Sequence, residues 1–149
     1  MARRTFFSFH YERDVWRSSI VRNSARLKPS IEAEFIDASL WEDAKLVGDA
    51  ALRRLMDDGL MRTSVTAVLI GAETASRRWV RYEIDKSIER GNGLFGIYIH
   101  NIKDRFGSTD RLGLNPLPAS CKTYDWVYND GYNNLGSWVE SAFQESGRI

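Results

Sequence analysis

The chain has 149 residues, of which 43% are hydrophobic and 28% charged, enough to build a single globular domain spanning 1–149 with a proper core. Its formal charge of +1, with both signs interspersed, supplies no concentrated field of the kind that phosphate backbones or anionic membranes select, so neither nucleic acid nor a membrane is the expected partner. The lone Cys121 excludes an intrachain disulfide and any CxxC pair, two histidines are too few for a metal site, and the lack of a leader or an 18-residue apolar run indicates the cytoplasm.

In chain order, Thr5-Phe6-Phe7-Ser8-Phe9 reads as a short buried strand that breaks at the polar run from His10 to Asp14. Asp14 is placed to cap a helix whose apolar stripe is Trp16, Ile20 and Leu27, with Val15 beside it, and Pro29 stops that helix. Glu32 to Ile36 alternates weakly, as an edge strand does.

Asp37 to Lys45 reads as a polar connection carrying an exposed tryptophan, Trp41, and so as a candidate binding loop. Trp41 could anchor a neighbour, cover a substrate or pack against the domain. Val47, Ala51, Leu52, Leu55 and Met56 then form a second helical stripe, with Gly59 expected as its left-handed cap.

The run Val65-Thr66-Ala67-Val68-Leu69-Ile70 is apolar enough for a strand covered on both faces. After Gly71, Thr74 or Ser76 can cap a helix over Arg77 to Glu89, with Val80, Ile84 and Ile88 as its buried stripe. Trp79 and Glu83 share the four-residue spacing on the flank, one turn apart. Gly91-Asn92-Gly93 terminates this helix, and Leu94 to Ile99 is another buried strand.

Residues 101–119, with Gly107, Gly113, Pro116 and Pro118, form a long loop of the sort that serves as a lid or binding segment. Thr123 to Val127 is a short last strand. Leu135, Trp138, Val139 and Ala142 mark a final helix begun by Asn133 or Asn134.

Strand and helix thus alternate five times, which predicts a three-layer α/β fold of flavodoxin-like type with five mostly parallel strands. In that order the first and third strands lie side by side at the switch point, so a ligand crevice is expected at Ser8-Phe9-His10 and Gly71-Ala72-Glu73. The crevice would hold one reactive carboxylate, Glu83, an aromatic plate, Trp79, and polar groups from Ser8, His10 and Asp37. Such a set suits a reaction in which positive charge develops on the substrate, as in cleavage of a glycosidic bond to a good leaving group. Glu83 could equally be a solvated helix residue paired with Arg81, Lys86 or Ser87, Trp79 a packing residue, and His10 a base or a hydrogen-bonded strand end. No Walker A, G-x-G-x-x-G or G-x-S-x-G pattern occurs, and the central strand ends in Ile70-Gly71 where a phosphoacceptor receiver would carry an aspartate.

The segments Phe6-Phe7-Ser8-Phe9-His10-Tyr11-Glu12-Arg13-Asp14, Ser64 to Thr74, Trp79-Val80-Arg81-Tyr82-Glu83-Ile84 and Gly91 to His100 resemble the TIR-like family that includes the Thoeris antiphage defence sensor. The likeness runs from about Arg4 to Pro118. It implies a TIR fold in bacterial immunity and an enzyme for which NAD is substrate, not cofactor: nicotinamide is released, and a cyclic or conjugated ADP-ribose product signals to a separate effector. Glu83, four residues after Trp79, matches the catalytic glutamate of enzymatic TIR domains. Ser8 and Phe9 fall where the family's NAD pocket lies, and Asp37 to Lys45 takes the place of the loop that gates assembly, without a close match to that loop's usual motif. Self-association and a phage-derived trigger are then expected. The competing reading is a non-catalytic TIR-like module that uses the same surface for docking.

Overall fold

The computed structural model describes residues 2–147. Its strands are β1 (Arg3–Ser8), β2 (Ile31–Glu34), β3 (Val65–Ile70), β4 (Gly93–Tyr98) and β5 (Thr123–Asp125). They form one sheet in the order β2-β1-β3-β4-β5, parallel throughout. This is the flavodoxin-like order, with β2 on an edge as expected. All six residues of β3 are buried, because helices cover both faces of the sheet.

The helices are α1 (Val15–Arg26), α2 (Ala38–Val47), α3 (Asp49–Met61), α4 (Arg78–Arg90) and α5 (Gly131–Glu145). Helices α1 and α5 touch each other on one side of the sheet; α3 and α4 do so on the other, with α2 joined to α3. None of the described helices is long and apolar enough to cross a membrane.

Several local expectations are revised. The face that α1 turns inward is Ser18, Val21, Ser24 and Ala25, so Val15, Trp16, Ile20 and Leu27 stand exposed. Narrow residues face the core there because α1 must lie close against its neighbours. In α4 the buried positions are Val80, Glu83, Ile84 and Ser87, a stripe rotated from the expected one, which leaves Ile88 outside. Gly59 does not cap α3; it lies inside the helix, where a Cβ would sit 2.8 Å from the Phe6 ring, so glycine is required for the close approach of helix to strand. Helix α3 ends instead with Arg62 at its C-cap, and at its other end Gly48, with φ of 138°, separates it from α2.

Thr74 and Ser76 form a single 3-10 turn before α4 and do not cap it; the Thr74 hydroxyl accepts from the Gly71 N–H at 2.7 Å and braces the end of β3. Asp14 stands at the N-cap of α1, but its side chain makes no capping bond. Helix α5 begins at Gly131, two or three residues earlier than Asn133 or Asn134 suggested.

The long loop is irregular, as expected, yet it is docked. A Cβ on Gly113 would lie 2.1 Å from the Gly71 carbonyl oxygen and 2.8 Å from that of Ala72, backbone atoms that have no rotamer to give way. Gly113→Ala is therefore expected to lift residues 101–119 off the end of β3 and to cost about 1–3 kcal/mol, measured by denaturant titration. An unchanged midpoint would mean that the loop shifts freely.

Candidate active site

Parallel pairing puts Ser8, the last residue of β1, opposite Val68 of β3, and α4 crosses that junction with Glu83 turned inward. Glu83 has no exposed surface. Its Oε1 accepts the Ser8 hydroxyl at 2.6 Å, and its Oε2 accepts the Tyr11 hydroxyl at 2.7 Å. A carboxyl so placed loses its hydration: burial lifts it to about 8, against the opposing pull of the two hydroxyls. At neutral pH the sealed site therefore holds mostly the neutral acid. The solvated-helix alternative, with Glu83 paired to Arg81 or Lys86, is excluded.

Tyr11 is the residue the sequence left unassigned. It lies on the turn between β1 and α1, 7% exposed, with its ring 4.5 Å from that of Phe9 and 4.4 Å from that of Trp41. Burial first, and the Glu83 carboxylate next, push its phenol well above the ordinary range, so it remains a donor. Nothing in periodicity could have revealed it, since a turn has no fixed side-chain period.

Phe9 and Tyr11, with Val15, Ser18, Arg22, Phe35 and Ile36, line a cleft of about 30 Å³ beside this cluster. Within it, the Ser18 hydroxyl and the Arg22 Nε are buried without a partner among the described residues. The walls are aromatic, and as it stands the cleft has room for about one water beside the Arg22 Nε. Glu83 does not line the cleft; Tyr11 stands between them.

The remaining expected residues are placed differently. His10 is buried at the end of β1, where its Nδ1 accepts from the Arg13 N–H at 3.2 Å. Burial, then Arg77, hold its imidazole below the usual value, so it stays neutral. Asp37 is not in the crevice: it is exposed and caps α2, its carboxylate accepting from the Ser39 N–H at 2.8 Å. Trp79 does not face the carboxylate either. The Arg78 guanidinium lies 4.2 Å over its ring and Tyr82 meets it edge-on, which makes it a packing residue of the α3–α4 side.

The expected 37–45 loop is helix α2, and Trp41 is 2% exposed, not an exposed anchor. Asp37 starts that helix, and the aromatic pair with Tyr11 fixes it.

Above the strand ends, Arg13 donates to Asp110 at 2.7 Å and to the buried Asp14 at 3.0 Å, while Arg111 reaches Glu73 at 2.9 Å. Arg17 donates to the carbonyls of Ile102 and Ser108. These contacts tie the β1–α1 turn to the long loop.

Cys121 lies at the opposite edge of the sheet, beside Gly93 at the start of β4 and Glu145 of α5, and burial raises its thiol above the usual value. A partly buried thiol held neutral is not poised as a nucleophile. Cys121→Ser is expected to retain full activity, and inactivation by that change in a folded protein would show that the thiol takes part in the chemistry.

Comparison with known proteins agrees with this architecture. The family model described as "Thoeris protein ThsB, TIR-like domain" matches residues 6–104. A protein of Bacillus cereus (strain MSX-D12) named "Putative cyclic ADP-D-ribose synthase ThsB1" is 40% identical, in an alignment covering 93% of this chain and 100% of that protein.

Proposed function

Because the chain belongs to the TIR-like domain family of the Thoeris protein ThsB, we propose that it is an antiphage enzyme that cleaves NAD and makes an ADP-ribose-derived signal. The observation that carries this is Glu83 itself: one inward carboxylate, held by the Ser8 and Tyr11 hydroxyls at the switch point of a parallel sheet.

The chemistry needs little more. The bond between ribose C1′ and the pyridinium nitrogen breaks, its electron pair leaves with nicotinamide, and the positive charge that appears at C1′ is stabilised by the Glu83 carboxylate. The leaving ring is neutral, so no general acid is required. Capture of C1′ by an adenine nitrogen of the same molecule closes a ring and leaves the positive charge on the adenine, whereas capture by water gives ADP-ribose and releases one proton. Glu83 acts ionised, and the burial that keeps it neutral in the sealed site is relieved once the site opens to substrate and water.

Once the site opens, the Phe9 and Phe35 rings would offer an aromatic base a wall to stack on, and the Arg22 Nε, which has no hydrogen-bond partner among the described residues, would face the pyrophosphate. Ser8 holds the carboxylate. The product would act on a separate effector, after a phage-derived trigger and self-association of the enzyme.

Purified protein incubated with NAD, alone and with extract of phage-infected cells, tests the proposal. Nicotinamide and a new ADP-ribose species, resolved by mass spectrometry, are the expected products. Intact NAD under both conditions would favour the docking-module alternative.

A further inference from the structure

If Glu83 is the reacting carboxylate, it cannot react from where it stands. It has no exposed surface and the adjoining cleft stops at Tyr11, so some wall of the site must move before substrate reaches it. Three walls are fixed by the core. Ser8 belongs to β1, an interior strand, and is registered with Val68 of β3; β3 is wholly buried; and α4 is pinned by Val80 and Ile84. The fourth wall is Tyr11, on a turn whose backbone is tied, among the described residues, by two local bonds to His10: from the Asp14 N–H to its carbonyl and from the Arg13 N–H to its Nδ1.

Side chains hold that turn down. Glu12, next to Tyr11, is clamped between two elements: its Oε2 accepts from Lys45 of α2 at 2.7 Å, and its Oε1 from Arg77 at the start of α4 at 2.7 Å. All three side chains are between about a third and a half exposed. Arg13, on the next residue, adds the bond to Asp110 on the long loop. Exposed ion pairs of this kind are weak and screened by salt. They can keep a turn closed and still release it.

We propose that Tyr11 is the gate of the site and the Glu12 pairs to Lys45 and Arg77 its latch: release of Glu12 lets Tyr11 leave Glu83, joining the carboxylate to the cleft. The inference deepens the NAD-cleaving reading and names its regulation. Whatever pulls α2 from the start of α4, a second copy of the chain or another partner, would break the latch without touching Glu83.

Carboxyl footprinting with a carbodiimide and glycine ethyl ester, read by mass spectrometry on the full chain, reports access to Glu83 independently of turnover. Glu12→Gln removes the charge at an exposed position. It is expected to raise labelling of Glu83 about threefold to tenfold, the effect of losing two exposed pairs, with Asp85 and Glu89 of the same helix unchanged. Raising sodium chloride should move the wild type toward the variant and leave the variant as it is. Equal labelling of Glu83 in the two proteins, or a rise shared by Asp85 and Glu89, would overturn the gate. Increased labelling without nicotinamide release, even with infected-cell extract, would leave the gate standing and remove the NAD reading.

Discussion

Glu83→Gln is expected to abolish NAD turnover, by a hundredfold or more, and at the same time to make the protein more stable above neutral pH. The first effect follows from the role proposed for Glu83, whose ionised carboxylate would stabilise the positive charge at C1′. The second follows from burial. The folded chain holds the Glu83 proton up to about 8, whereas an unfolded chain releases it near 4.5. Between those values the folded state binds the extra proton, so the stability associated with this group is complete below about 4.5, declines as pH rises, and levels off above about 8. Full ionisation in the sealed site would cost at most about 5 kcal/mol, and local opening that hydrates the carboxylate limits the loss actually realised.

Glutamine does not titrate, and it still offers one acceptor and one donor group to the Ser8 and Tyr11 hydroxyls. Wild type and variant should therefore melt together near pH 5 and separate by about 5 °C or more at pH 9, the variant higher. Normal turnover by a folded Glu83→Gln protein would remove Glu83 from the chemistry. A pH-independent difference in melting temperature would show that its carboxyl is hydrated.

Which parts of this were legible in the sequence follows from how each is encoded. The apolar run at 65–70 has few alternatives to a covered strand, and Gly91 appears at the left-handed cap of α4 with φ of 74°, so the order of elements and the switch point could be derived. Helix faces were harder. In α1 the inward face carries Ser18 and Ser24, so the apolar stripe pointed the wrong way; in α4 Val80 and Ile84 are buried as expected, but the inward face also takes in Glu83 and Ser87 and leaves Ile88 out. A glutamate enters a core only when donors await it, and those donors come from 75 and 72 residues away. Glu83 and Ser8 could be named from their places in the order of elements; that they bond, and that Tyr11 completes the cluster, depends on tertiary packing. Asp37 and Trp79 lie away from the expected crevice for the same reason, each having a nearer partner in Ser39 or in Arg78 and Tyr82.

The largest structural effect is expected from Trp41→Ala. Trp41 is the one buried residue of α2, whose Leu40, Leu46 and Val47 all stand exposed, so its indole against Tyr11 is that helix's buried anchor, beside the partly buried Ala44 and the Lys45–Glu12 pair. Truncating a buried tryptophan typically costs about 3–5 kcal/mol, and the loss here should be at the lower end, because α2 can detach without unfolding the sheet. Hydrogen exchange is expected to accelerate across α2 and the 10–14 turn while β3 and β4 keep their protection. Trp41→Phe, which preserves an aromatic contact, should restore most of it. An exposed Trp41 acting as a docking anchor would have lost activity on truncation, most steeply in dilute protein. A buried Trp41 behind Tyr11 predicts the opposite sign: basal NAD turnover per folded molecule should increase, independently of concentration, since removing the indole frees the side chain that covers Glu83. Lower turnover in a Trp41→Ala protein that retains its strand protection would mean that α2 contributes to the substrate site directly.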